Sequence, residues 1–191
     1  MSEQNFGLYL REVHAVISVS EGDFALLKKH TDFFTSNLEG FVKHFYDTIY
    51  DNEGPREIFR EGERPAVEDT LRKWVLSLVE GHDDDEFWKK QYLIGLAHIR
   101  REVPNRYMLT MASRSREFFL QAMVSELGAD EGVRLFLAFQ HVVDATVALT
   151  TTLVDEGRKK GLLQATGWTP PLMRNMLKTV YADIARKIEA A

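Results

Sequence analysis

His98 is the residue of this chain best placed by its type and setting to hold a metal. It stands in the stretch Gly95-Leu96-Ala97-His98-Ile99-Arg100-Arg101-Glu102-Val103-Pro104, near the end of an expected helix and just ahead of a proline. A neutral imidazole binds metals through one ring nitrogen and is a common axial ligand of haem iron. Two hydroxyls could work with it. Tyr46 follows the apolar face of Phe41, Val42 and Phe45, and Thr70 stands among Val67, Leu71 and Trp74. A hydroxyl donor in a dry pocket stabilises negative charge on a small molecule held there, as donors stabilise developing oxyanions elsewhere. Dioxygen at an iron draws such charge and carbon monoxide far less, so a tyrosine facing the metal would favour dioxygen.

The rest of the chain offers little competing chemistry. His14 and His30 have no metal partner at a useful spacing, His44 reads as solvated, His82 belongs to a loop, and His141, beside Asp144, reads as an interface or surface histidine. Cysteine is absent, which excludes disulfides, thiolate zinc sites and iron–sulfur clusters. The acidic run Asp83-Asp84-Asp85-Glu86 lacks the glycine and distant glutamate of a calcium loop and reads as a solvated helix start, where it suits the helix dipole. No glycine-rich phosphate loop, nucleophile elbow or pair of zinc histidines is present. The net charge of −5 without a long basic run argues against nucleic acid as the main partner. No run of 18 or more apolar residues and no signal-peptide pattern occur, so the expectation is a cytoplasmic protein without a membrane span.

Helices must position these residues, because apolar residues recur at helical spacing throughout and no bounded β-branched alternation occurs. The pattern predicts an all-α fold. A short helix covers Leu8 to Ile17. A second follows Ser20 and contains Phe24, Leu27 and Phe34. The next carries Leu38, Phe41, Val42, Phe45 and Ile49, and ends at the breaker Asp51-Asn52-Glu53-Gly54-Pro55. A short helix with Ile58 and Phe59 precedes one whose face is Val67, Thr70, Leu71, Trp74, Val75 and Leu78. Another runs from Glu86 to Arg101, and two long ones span Pro104 to Leu127 and then reach Glu156. The last of these has two apolar stripes, one with Val133, Phe136, Val143, Val147 and Val154, the other with Leu135, Phe139, Val142, Leu149 and Leu153. A helix apolar on two faces is buried on two sides, by its own core or by a partner. The expected division is a domain over 1–157, a linker over 158–171 that opens with Arg158-Lys159-Lys160-Gly161 after Gly157, and a helical appendage over 172–191.

Three stretches resemble the sensor globins of the globin-coupled sensor and protoglobin family: Val42-Lys43-His44-Phe45-Tyr46-Asp47, Val67-Glu68-Asp69-Thr70-Leu71-Arg72, and Gly95 to Tyr107. The resemblance implies a globin-like fold with an extra N-terminal and an extra C-terminal helix. It implies haem b (iron protoporphyrin IX) as cofactor, with His98 as proximal iron ligand and Tyr46 and Thr70 in the distal pocket. Phe45, Val67, Leu71, Trp74, Ile94 and Tyr107 would line the cofactor. It further implies a gas sensor rather than an enzyme, binding dioxygen or another diatomic gas, dimerising with its copy through the two long helices and signalling to an output domain or partner protein. Arg101 and Glu102 depart from the pattern, since many members carry an apolar residue and a glycine there, which puts the backbone of that turn in question. Most members also run their last globin helix into an output domain; none is read in these 191 residues, so the expectation is a single-domain sensor or the sensor fragment of a longer protein. Two other readings stand beside this one. One is a haem-free globin-fold regulatory module in which His98 and Tyr46 only pack. The other is a haem enzyme for peroxide or nitric oxide chemistry, disfavoured by the lack of a distal histidine–arginine pair.

Overall fold

A computed structural model describes the backbone of residues 3–190 and the side chains of residues 6–190. Among the described residues there are nine helices and no strand: α1 (Glu3–Ile17), α2 (Glu21–Lys29), α3 (Thr31–Tyr50), α4 (Glu53–Arg56), α5 (Arg64–Glu80), α6 (Asp85–Arg100), α7 (Asn105–Leu127), α8 (Ala129–Thr166) and α9 (Pro170–Glu189). The chain divides into two compact units, Met1–Val154 and Asp155–Ala191.

In the first unit the core is aromatic. Phe119 of α7 stands 4.7 Å, centroid to centroid, from both Phe41 of α3 and Phe139 of α8, and Phe34 joins them at 5.4 Å from Phe119. A second cluster ties α2 to α6 through Phe24, Phe87 and Trp88, with Phe24 and Phe87 edge-on at 5.1 Å. Phe6 of α1 reaches Tyr92 of α6 at 5.2 Å. Such tilted and edge-on pairs add to what burial alone contributes. The stripe Leu135, Phe139, Val142, Leu149 and Leu153 of α8 is buried throughout, and Val143 and Val154 of the other stripe are buried too, while Val133 stays 44% exposed.

Local signals explain the starts of the elements. Asp84 caps α6, its carboxylate accepting the Phe87 N–H at 2.7 Å. Pro65 lies in the first turn of α5, where its missing N–H costs nothing. The break between α7 and α8 is Gly128, at φ 80 and ψ 168, a region open in practice only to glycine.

Several boundaries differ from the sequence expectation. Phe34 belongs to α3 and not to α2, because the chain breaks at His30 without a glycine or proline to mark it. Gly54-Pro55 lies inside the one-turn helix α4, where proline occupies a first turn, and Ile58 and Phe59 follow that helix. The segment after Glu156 continues α8 to Thr166. Gly157 and Gly161 each cost about 1 kcal/mol in a helix, which the neighbouring Arg, Lys, Leu, Gln and Ala residues sustain. By length and composition α8 is apolar enough to cross a membrane, which the sequence reading did not foresee; half of its most apolar window is buried within the fold, as in a core helix.

Gly95 sets how closely α6 approaches α8. A Cβ there would lie 2.8 Å from the Thr150 carbonyl oxygen and 3.0 Å from Leu153 Cβ. Gly95→Ala must therefore push the two helices apart, and we expect a loss of about 1–3 kcal/mol in denaturant unfolding. An unchanged midpoint would show that α6 is not clamped there.

Candidate functional site

The first unit encloses a cavity of about 430 Å³, within the roughly 300–1,000 Å³ range of small-molecule and cofactor sites. α3 contributes Phe45, Tyr46 and Ile49 to its lining, and α5 contributes Val67, Thr70, Leu71 and Trp74. α6 supplies Ile94 and His98, and Arg101 follows at its C-terminal cap. All nine residues singled out from the sequence, including Tyr107 at the start of α7, line this one space.

The last turn of α6 positions His98. Its Nδ1 lies 3.0 Å from the Ile94 carbonyl oxygen one turn back, so Nδ1 carries the proton and Nε2 keeps its lone pair. Burial disfavours the imidazolium and lowers the pKa of His98 below the ordinary 6.5, with the nearby Arg101 charge acting in the same direction. The ring is thus a neutral nitrogen donor at neutral pH, as metal ligation requires. Behind it α6 ends in a Schellman turn: the Glu102 N–H donates to the Ile99 carbonyl (3.0 Å) and the Val103 N–H to the His98 carbonyl (2.9 Å). Glu102 occupies the left-handed position at φ 53, where glycine is the usual residue. The residue-type departure noted from the sequence therefore leaves a left-handed turn.

The lowered pKa has a measurable consequence. Below pH 6.5 the unfolded chain protonates this histidine while the folded protein resists, so the unfolded state binds more protons. Stability must then rise with pH through the window between the lowered folded value and 6.5, and fall as the pH drops through it. Urea unfolding at pH 7.5 and 5.5 should show part of this slope disappearing in His98→Gln. An identical slope in both proteins would place the titration elsewhere.

The two hydroxyls expected to face a ligand are already engaged. Tyr46 Oη donates to the Val67 carbonyl at 2.8 Å, joining α3 to α5. Its burial, more than the nearby Glu68 charge, raises the phenol pKa, so it stays a protonated donor. Thr70 Oγ1 donates to the Ala66 carbonyl at 3.0 Å, the back-bond a helical threonine commonly makes. Each hydroxyl has a single proton, so donation into the cavity requires release of these carbonyls.

Trp74 is fixed from behind. Its indole N–H donates to Gln91 Oε1 at 3.1 Å, and the Gln91 backbone carbonyl accepts from Thr150 at 3.1 Å, a partly buried chain linking α5, α6 and α8. Met108, Met111 and Ser115 of α7 and Val143 and Val147 of α8 also line the cavity. Their spacing of three, four and seven residues was the available signal. Arg101 was noted only as a departure from a pattern, yet it is the one charged residue among the described lining.

Two of the other histidines are held by carboxylates. His30 Nε2, at the junction of α2 and α3, meets Glu131 of α8 at 2.9 Å, and His141 Nδ1 of α8 meets Asp23 of α2 at 3.2 Å. No group of three or more His, Cys, Asp or Glu that could hold a metal exists among the described residues. A metal in this cavity would thus depend on a ligand set supplied largely by a cofactor. One neutral imidazole in an apolar, cofactor-sized space suits haem, whose iron already has four ring nitrogens.

Comparison with known proteins agrees with this geometry. The chain is 21% identical to the globin domain of a Geobacter sulfurreducens globin-coupled sensor, with a TM-score of 0.69 over 75% of this chain and 95% of that one. It is also 23% identical over 91 residues to an uncharacterized protein of Methanocaldococcus jannaschii, a match spanning 46% of this chain and 48%, about half, of that relative. The fold is therefore a globin fold, as the sequence resemblance implied, and α9 lies beyond the matched family segment. The pattern of a family of binding and sensing domains, not of enzymes, matches residues 9–157, and the chain belongs to that family, Protoglobin.

Proposed function

We propose that the chain is a cytoplasmic haem-based gas sensor that binds dioxygen or another diatomic gas. The observation that carries this reading is a neutral His98, its Nδ1 held by Ile94, lining an apolar cavity together with Tyr46. When bound there, haem b would supply an iron that takes up a diatomic gas reversibly. His98 would hold the iron through Nε2, and the Ile94 carbonyl would fix the ring's orientation and raise its basicity. Phe45, Val67, Leu71, Trp74, Ile94 and Tyr107 would exclude water. Tyr46 would turn from the Val67 carbonyl to donate to the gas, with Thr70 near the rim.

A displacement of His98 would move α6, and the Gly95–Thr150 contact would pass that movement to α8. Signalling requires that the gas favour one of two such arrangements. Val133 and Leu137 of α8 and Val124 of α7 are 44%, 47% and 38% exposed, and we assign them to a homodimer face through which an output domain or partner is addressed. On this reading residues 1–157 are the sensor and α9 is an appendage.

Titration with haemin tests the proposal. A Soret band saturating at one equivalent, and a reversible spectral change of the reduced protein with dioxygen, are expected. A second reading, a haem-free regulatory module, is favoured by the internal bonds of both Tyr46 and Thr70. A titration that shows only the broad spectrum of free haemin, with no haemin kept by the protein through gel filtration, would establish it in place of the first.

A further inference from the structure

Arg101 follows His98 by three residues and caps the same helix end. Its guanidinium lies over the Phe59 ring at 5.8 Å from the centroid, and its Nη2 donates to Glu63 Oε1. Glu63 is itself held, its other oxygen accepting the Arg60 N–H at 3.1 Å. A carboxylate is thus fixed against the one charged group of the described lining, at the seam between the start of α5 and the end of α6. The pair is partly exposed, 37% at Arg101 and 20% at Glu63. Exposed ion pairs add little to stability, so stability alone does not account for it.

We infer that Arg101 is the anion anchor of the cavity: it takes the carboxylates on the edge of a flat apolar occupant held at His98, and Glu63 fills that position when the occupant is absent. The inference rests on the haem reading, haem being such a molecule with two carboxylates on one edge. Arginine presents a planar fork that matches a carboxylate, and stacking on Phe59 holds the plane of that fork. No other charged side chain stands in the described lining to take a carboxylate. Arg106, stacked on Tyr107 at 4.6 Å, is a neighbouring cation outside that lining.

The test is equilibrium titration of the purified protein with haemin and with haemin dimethyl ester, whose carboxylates are blocked. Trp74 lines the cavity, so tryptophan quenching reports both ligands, with circular dichroism as the check on folding. The wild type should prefer the free acid by about tenfold or more, as a charge-assisted bond does. R101Q should bring that ratio close to one with the ester's affinity unchanged. R101K, which keeps charge without the fork, should fall between them and carries the test if R101Q does not fold. E63Q should strengthen binding of the acid alone, and R106Q should leave the ratio as it was. A wild-type ratio of one, an equal loss of both ligands in R101Q, or an R106Q effect matching R101Q would each overturn the anchor while leaving the haem reading intact. Uptake of neither ligand would sink the haem reading, and the anchor with it.

Discussion

His98→Ala should weaken haem uptake by at least about 100-fold, since losing even a group that only orients a metal ligand costs roughly 10–100-fold. The effect should be confined to the loaded protein. In the unloaded fold the substitution removes one bond to a helix carbonyl and adds space to an existing cavity, so the helical content and unfolding midpoint should change little. Free imidazole offers a sharper test, because it fits the space vacated and supplies the same nitrogen. Millimolar imidazole should restore haem that stays with the alanine variant through gel filtration, and should not do so in a variant whose fold is lost. Full uptake by His98→Ala without imidazole would remove this residue from the site.

Tyr46→Phe has two expected effects, and they separate the roles of one hydroxyl. Its bond to the Val67 carbonyl joins α3 to α5, so losing it should cost about 0.5–1.5 kcal/mol of stability. If the hydroxyl also turns toward a bound gas, dioxygen release should accelerate by roughly 10–100-fold, the worth of a hydrogen bond to a charged acceptor. Carbon monoxide release should barely change, because that ligand draws little negative charge. Stopped-flow release of both gases gives the comparison. Lower stability with both release rates unchanged would make Tyr46 a strut between helices and nothing more.

Of the nine lining residues named from the sequence, Phe45, Val67, Thr70, Leu71 and Trp74 were legible from helical periodicity, whereas His98 and Tyr46 were legible from their chemistry and Ile94 and Tyr107 only with the family resemblance. The all-α character was legible from the same periodicity. What the sequence hid was set by contacts distant along the chain. The Tyr46 proton goes to a carbonyl 21 residues away, and no local signal marks Val67 as its acceptor. Arg101 looked like an oddity in a turn because its partner, Glu63, lies 38 residues earlier. The boundaries failed for a different reason. Gly54-Pro55 and Gly157 to Gly161 carry the residue types of breakers, but a proline in a first turn and a glycine among strong helix formers are both tolerated. The break at His30 had the opposite problem. It lacks glycine and proline, so Phe34 was assigned to the wrong helix although its apolar character was read correctly.

The decisive measurement is a crystal structure of the haemin-loaded protein. Iron is expected within bonding distance of His98 Nε2, with Nδ1 still on the Ile94 carbonyl and the Tyr46 hydroxyl on the opposite face of the ring. Haemin lying outside the cavity, or iron bound by any other side chain while His98 remains only packed, would contradict that expectation.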